Sequence, residues 1–382
     1  MAKHTCAIFT TTRAEFGLFL PLLKAIATDN DLNYLLFAGG THCAWEHGQT
    51  IKEIEQNHIP ITGVFDFLLN TDTRDGLIHS LGVETFQLGE IFKHYAFDMV
   101  VVLGDRIELL PIVTAAIIYN KAIVHLYGGE QTKGAIDDQV RNMITKAAHL
   151  HFTSCETYAQ NIVHMGENPQ RVYNVGSLAT DNMVSIQRLA KDSIFSMLNL
   201  RADLPIVLLT YHPVTLHIES LSPRQQMVNI FEALEAFALQ VIITAPNMDP
   251  GHDAIRSEIT ERTKRQSNYH FVESLGVQLF HSLLPYCEFV IGNSSSGIVE
   301  VPFYKIPTVN IGDRQKGRLR HPSIIDVGYD KHEIIEGIKK ALDINFKKEI
   351  SRMPYQFGTG NSAQQIVSVL KNLHIDESFL RK

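Results

Sequence analysis

The sequence predicts an α/β protein of two Rossmann-like domains, each built on a parallel sheet. Short apolar runs alternate with amphipathic stretches from one end of the chain to the other, which is the rhythm of doubly wound sheets with helices on both faces. The chain has 382 residues, 45% of them hydrophobic, more than one core usually organises and enough apolar material for two. The rhythm also restarts. A strand ends in the glycine turn Tyr173-Asn-Val-Gly-Ser177, a more polar helical segment runs on to about residue 201, and a second series of apolar runs begins at 206. The first domain is therefore placed at 1–177 and the second at 178–361. The amphipathic stretch 362–373 either packs locally or crosses back onto the first domain.

In order, apolar runs at 7–10, 34–38, 99–103, 123–126 and 150–153 read as strands, and 18–27, 49–56, 84–94, 108–119 and 138–148 read as helices. The second half gives strands at 206–210, 241–244, 270–272, 289–291 and 308–311 with helices between them. No short repeat, low-complexity segment or heptad run interrupts this pattern.

A net charge of -7 argues against tracking nucleic-acid phosphates, which calls for a basic excess. Cys6, Cys43, Cys155 and Cys287 lie far apart with no C-x-x-C pair, as expected of reduced thiols in a cytoplasmic protein. The N-terminus runs straight into a strand without the pattern of a signal peptide. No apolar run approaches membrane-spanning length.

In such folds ligands gather at the carboxyl ends of the strands. The run ending at Ile291 breaks at Gly292-Asn293, and Ser294, Ser295, Ser296 and Gly297 then open a short helix. Hydroxyls, free backbone N-H groups and the helix dipole at such an opening suit a phosphate, although serines there also serve simply as caps. Arg314, Lys316, Arg318 and Arg320 follow the next strand, in a loop expected to bring cations beside the same helix start. Pro302 limits that helix, so the cradle is expected to rely on the arginine loop as much as on the dipole.

The first strand ends in Thr10-Thr-Thr-Arg-Ala-Glu-Phe-Gly17, which suits an anionic or sugar ligand or is only a polar turn. It lacks G-x-G-x-x-G, which disfavours a nicotinamide dinucleotide. The run 99–103 ends in Gly104-Asp-Arg106, where Asp105 either stands in the cleft as acid or base, its charge modulated by Arg106, or caps the next helix. The loops after 126 carry Glu130 and Asp137. Asp105, Glu130 and Asp137 at one rim would repel one another and raise the proton affinity of at least one. His125, His149 and His151 make a metal the rival reading, but satisfied structural histidines are the commoner case, so no metal is expected. In the second half His212 follows a strand and precedes a proline that fixes its backbone. It either acts on a leaving phosphate or is structural. Asn247 and Asp249, in Ala245-Pro-Asn-Met-Asp-Pro-Gly251, face the ligand or shape the turn. The loop with His42, Cys43, Trp45 and His47 suggests no role.

Taken together, Thr12-Arg-Ala-Glu15, Gly104-Asp-Arg106, Gly128-Gly-Glu130, His212-Pro-Val-Thr215, Gly292-Asn-Ser-Ser-Ser-Gly297 with Glu300, and Gly312-Asp-Arg-Gln-Lys-Gly-Arg318 resemble the hydrolysing UDP-N-acetylglucosamine 2-epimerases of bacterial sialic acid synthesis, in order over nearly the whole chain. The resemblance implies a GT-B arrangement with the active site in the interdomain cleft, no cofactor, and a homodimer or homotetramer. It implies that UDP leaves C1 as the C2 proton is removed, and that water then adds to the glycal-type intermediate to give the free manno sugar. It places Ser294, Ser295 and Arg314 at the diphosphate, Glu300 at the ribose hydroxyls and His212 near the diphosphate. It also places Arg13 at the nucleotide, Asp181 near the sugar, and Asp105 and Asp137 in the acid-base set.

Two positions depart from the pattern. Members that read Ile-Glu-Gly-Gly-Glu have a glutamate where this chain has Tyr127, so Glu130 is expected to take over. The family's Ile-Arg-His is Val140-Arg-Asn142 here. The substrate expected from the resemblance is UDP-N-acetylglucosamine, giving N-acetylmannosamine. The alternative is the 2,4-diacetamido-trideoxy sugar that feeds legionaminic acid synthesis. Other classes compatible with the fold are a retaining glycosyltransferase and a silent nucleotide-sugar sensor.

Overall fold

The computed structural model describes residues 4–44, 50–69, 73–131, 136–214, 221–246 and 251–382. The chain divides into two compact units, the first comprising Met1–Val184 with Phe357–Lys382 and the second Ser185–Gln356.

Unit 1 is built on seven parallel strands: β1 (His4–Thr10), β2 (Leu32–Gly39), β3 (Gly63–Phe65), β4 (Met99–Leu103), β5 (Ala122–Leu126), β6 (Leu150–Thr153) and β7 (Val172–Asn174). Their order is β3-β2-β1-β4-β5-β6-β7. Strands such as Met-Val-Val-Val-Leu in β4 are buried along their whole length, as expected when both faces of a parallel sheet are covered. Connections run to one side from β1 and to the other from β4, so the order reverses between these neighbours. The loops after β1 and β4 flank that switch point, the usual place for a ligand.

Unit 2 repeats the plan with β8 (Ile206–Thr210), β9 (Gln240–Thr244), β10 (Tyr269–Val272), β11 (Cys287–Gly292), β12 (Thr308–Ile311) and β13 (Ile324–Val327). The order is β10-β9-β8-β11-β12-β13, again parallel. Val207, Leu209 and Tyr211 enter one core layer and Ile206 and Leu208 the other, because successive side chains on a strand point to opposite faces. The switch point lies between β8 and β11, which places the ends at Thr210 and Gly292 together.

Two differences from the sequence reading have clear causes, and one alternative it left open is decided. Strands β3 and β13 are edge strands of three and four residues, too short to show an apolar run. The change of unit falls at Val184 rather than after Ser177, because the helix Leu178–Ser185 is tied into unit 1: Asn182 Nδ2 donates to Gly17 O at 2.7 Å. The C-terminal helix Ser362–Lys371 crosses back onto unit 1, where Ile366, Val367 and Leu370 join the core formed by β1 and the helix Arg13–Ala27. Among the described residues no helix is long and apolar enough to cross a membrane.

Candidate functional site

At the carboxyl ends of the unit 1 strands, the hub is an arginine. Arg141, 3% exposed on the helix Asp137–Ala147, pairs through Nη2 with Asp105 and through Nη1 with Asp138 Oδ1 at 2.7 Å. The same Nη1 donates to Glu130 O at 2.8 Å. One planar guanidinium thus draws together the loop after β4, the loop after β5 and the first turn of a helix, a geometry its fixed fork of donors suits. Asp105 does not cap the next helix, whose N-cap is Glu108. Its pKa lies above the ordinary carboxylate value, chiefly through burial; Arg141 opposes the rise and Asp137 adds to it. Burial thus leads, and the expected repulsion between carboxylates is secondary. Nor is Arg106 the main cation at Asp105, since it pairs with Glu108 Oε1 at 2.6 Å. Glu130 Oε1 accepts a hydrogen bond from Ser154 Oγ at 3.1 Å.

The turn after β1 is a capping box. Thr12 Oγ1 accepts from Glu15 N at 3.3 Å, and Glu15 Oε2 accepts from Thr11 N, Thr11 Oγ1 and Thr12 N at 2.8, 2.8 and 3.0 Å. Arg13 is left outward, 68% exposed and 2.7 Å from Glu53 Oε2. Asp181 is buried and accepts from Ser362 N at 3.0 Å and Ala363 N at 2.7 Å, so it caps the returning C-terminal helix from another element.

The histidines weighed as metal ligands each hold structural partners. His125 lies between Gly104 O at 2.8 Å and Thr145 Oγ1 at 3.2 Å. His149 Nδ1 accepts from Ile123 N, and His151 Nε2 lies 3.3 Å from Glu167. Burial lowers all three pKa values, His125 to about 3 and His151 to about 4. His42 is likewise buried, between Thr10 and Thr50.

In unit 2 the hub is Asn293, fully buried between β11 and the serine turn. Its Oδ1 accepts from His212 N and its Nδ2 donates to His212 O, both at 2.8 Å. Its own carbonyl accepts from Arg314 Nη1 at 3.2 Å and Gln315 Nε2 at 2.9 Å. Asn293 therefore fixes the His212 backbone, the serine turn and the arginine loop relative to one another. Ser294 caps the five-residue helix Ser295–Val299 by accepting from Ser296 N; a 3-10 turn containing Pro302 follows.

Two glycines are required here. Gly292 has φ 133°, and a Cβ on it would run into the Thr210 carbonyl; a Cβ on Gly297 would lie 2.9 Å from Thr308 Cγ2. Of the four expected cations, Arg314 is held at the turn, but Lys316 pairs with Asp313 and Arg320 with Asp326. Glu300 follows the helix, with Oε1 3.3 Å from His281 Nε2. Burial alone would raise the Glu300 carboxyl, yet bonds with His281 and Ser296 outweigh it and hold the pKa below its ordinary value. Asn247 and Asp249 lie outside the described residues.

Comparison with known proteins bears on the chain as a whole. The family model described as UDP-N-acetylglucosamine 2-epimerase matches residues 24–371. The chain belongs to the UDP-N-acetylglucosamine 2-epimerase family. It is 35% identical over 379 residues to a hydrolysing GDP/UDP-N,N'-diacetylbacillosamine 2-epimerase of Campylobacter jejuni, covering 98% of this chain and 97% of the relative. It is 33% identical to the polysialic acid biosynthesis protein P7 of Escherichia coli, covering 95% and 92%. Among solved structures, a crystal structure described as a UDP-N-acetylglucosamine 2-epimerase of Listeria monocytogenes superposes with a TM-score of 0.79 at 19% identity, covering 97% and 96%. At that identity the likeness speaks for the fold: two Rossmann-like units with parallel sheets.

Within the UDP-N-acetylglucosamine 2-epimerase family, Tyr127 is the departure that the geometry explains. It has φ +64°, a left-handed conformation that costs a bulky residue about 1–3 kcal/mol. Its hydroxyl lies 2.8 Å from Ser177 Oγ, its N-H donates to Phe152 O at 3.0 Å, and its ring packs against the unit 1 core. Burial drives the phenol pKa up, so the group stays neutral and structural. Asn142 is exposed. The residues that sequence reasoning missed as site members are Arg141, Asp138, Asn293, Gln315 and His281. Arg141 left a signal as the arginine of the Val140-Arg-Asn142 run, and Asn293 and Gln315 as members of the Gly292–Gly297 and Gly312–Arg318 motifs.

Proposed function

We propose that the protein is a hydrolysing 2-epimerase of a UDP-2-acetamido sugar, and that its substrate is UDP-N,N'-diacetylbacillosamine, in a route to legionaminic acid. The observation that carries this reading is the full-length relationship to the hydrolysing diacetylbacillosamine enzyme at 35% identity. The relationship to the polysialic acid protein favours a second reading, UDP-N-acetylglucosamine as substrate and N-acetylmannosamine as product for sialic acid.

In the reaction a base takes the C2 proton while the C1–O bond breaks and its electron pair leaves with UDP. Water then adds at C1 of the resulting glycal and a proton returns to C2, giving the manno sugar. A C2–H beside an acetamido group is a weak acid, so the step needs a positioned base and a stabilised leaving group together. Asp105 is suited to proton transfer: burial raises its proton affinity while Arg141 fixes its direction. Glu130 and Asp137 complete the acid-base set. The turn from Ser294 to Gly297, Arg314 and His212 receive the departing diphosphate, and Glu300 receives the ribose hydroxyls. Arg13 meets the nucleotide; its present partner, Glu53, is an exposed one that a diphosphate can replace at little cost.

The test is a comparison of kcat/KM on the two UDP-sugars, with product identified by NMR. The proposal expects at least about tenfold preference for the diacetamido-trideoxy sugar, the discrimination that one or two well-placed polar and apolar contacts supply. Preference for UDP-N-acetylglucosamine would move the protein to the second reading. Turnover of neither sugar would remove both.

A further inference from the structure

Behind Glu300 lies a buried polar line that the reaction as described does not use. His281, 4% exposed on the helix Gly276–Leu283, has Nδ1 3.0 Å from the Tyr304 hydroxyl and Nε2 3.3 Å from Glu300 Oε1. Arg188 lies over the Tyr304 ring, 5.2 Å from its centroid, and also engages its hydroxyl. The imidazole is clamped by an edge-on contact with Phe280 at 5.0 Å. On the other side, Ser296 also bonds the Glu300 carboxylate, and Glu300 N donates to Ser296 O at 2.8 Å.

The donor and acceptor inventory fixes the direction of this line. A carboxylate only accepts, so the imidazole nitrogen facing it, Nε2, 3.3 Å from Glu300 Oε1, is the one to carry the proton. Nδ1 is then the acceptor for the Tyr304 hydroxyl, 3.0 Å away. A carboxylate has about four acceptor positions, and His281 faces one oxygen of Glu300. The acceptor capacity that remains suits a vicinal diol.

We propose that His281 and Tyr304 are positioning residues for ribose recognition: the Tyr304–His281 relay holds the Glu300 carboxylate in the one orientation that accepts both ribose hydroxyls of the UDP leaving group. The proposal rests on the assignment of Glu300 to the ribose made above. It makes the relay a device for selecting ribonucleotides, since a ligand lacking one hydroxyl gains less from the alignment.

Titration calorimetry of the full-length protein with UDP and with 2′-deoxy-UDP tests this on the wild type, Tyr304→Phe, His281→Asn and Glu300→Gln. Tyr304→Phe keeps the ring and its contacts with Arg188 and Phe303, so the test stands even where a His281 variant does not fold. The relay variants are expected to bind UDP about tenfold more weakly, the loss of one charge-assisted hydrogen bond's alignment. Their affinity for 2′-deoxy-UDP should fall by less, because only the 3′-hydroxyl is left to lose its alignment, and the wild-type preference for UDP should narrow. Equal weakening of both nucleotides, or no change in either, would overturn the relay. A narrowing of the preference in Glu300→Gln but not in Tyr304→Phe would overturn the relay alone. A preference unchanged in Glu300→Gln would remove the ribose assignment itself, and the relay with it.

Discussion

Arg141 and Asp105, separated by 36 residues in sequence, form an ion pair in which the guanidinium is 3% exposed and the carboxylate 27%. Removing one member of a buried pair leaves the other charged group without compensation, at a typical cost of about 3–5 kcal/mol; the partial exposure of Asp105 puts the lower end in force. Arg141→Met is therefore expected to lower the melting temperature by several degrees and to reduce kcat by about a hundredfold or more, the size of effect seen when a general acid-base group loses its orientation. UDP affinity, measured by calorimetry, should stay within about twofold, since Asp105, Asp138 and the Glu130 carbonyl, which Arg141 holds, are not among the residues proposed to bind UDP. Arg141→Lys should not rescue, because a lysine cannot serve Asp105, Asp138 and the Glu130 carbonyl from one planar group.

Asn293 makes the corresponding prediction for unit 2. Asn293→Ala leaves the His212 N-H and C=O without their partner, and each unsatisfied buried group costs about 1–3 kcal/mol. The expected result is a lower melting temperature and a KM raised about tenfold or more, with kcat less affected. Ser294→Ala, which loses only a cap worth about 1 kcal/mol, should be clearly milder in melting temperature. Equal effects would show that Asn293 is no more than another turn residue.

Glu84 offers a pH test that is independent of catalysis. It is fully buried, and neither carboxylate oxygen has a partner among the described residues. Burial, followed by the nearby Glu108 and Glu15, raises its pKa from 4.5 to about 9. The folded chain therefore retains a proton that the unfolded chain releases above about pH 4.5. Its contribution to stability is greatest below that pH and declines as pH rises toward 9, by up to about 1.4 kcal/mol per unit. Glu84→Gln, neutral at every pH, should melt close to the wild type at pH 5 and several degrees above it at pH 8. A difference that does not grow with pH would contradict a protonated Glu84.

The alternation of strands and helices was legible because β4, β8 and β11 are continuous buried runs, and the serine turn because Gly292 breaks one of them abruptly. Edge strands such as β3 carry no such signal. The carboxylates proposed to handle the proton, Asp105, Glu130 and Asp137, were legible, but not the arginine that holds Asp105 and the Glu130 carbonyl together. Arg141 looks, in sequence, like one more charge on an amphipathic helix. Asn293 looks like a turn former, and its hydrogen bonds to His212, Arg314 and Gln315 depend on three segments meeting. Asp181 and Glu15 show the converse: motif positions in which both Asp181 oxygens and Glu15 Oε2 are engaged in helix caps. Tyr127 stands where the resemblance leads one to expect a glutamate, and neither its left-handed backbone nor its contact with Ser177 is legible in the sequence.

The account's central claim is that the protein cleaves a UDP-sugar by removing the proton at C2. Incubation of the full-length protein with UDP-N,N'-diacetylbacillosamine, and in parallel with UDP-N-acetylglucosamine, in heavy water, followed by NMR, tests it most directly. The account predicts UDP and a free sugar of manno configuration in equal amounts, with deuterium at C2, and no turnover by Asp105→Asn under the same conditions. Free sugar that retains its C2 proton, or deuterated product formed at the wild-type rate by Asp105→Asn, would contradict it.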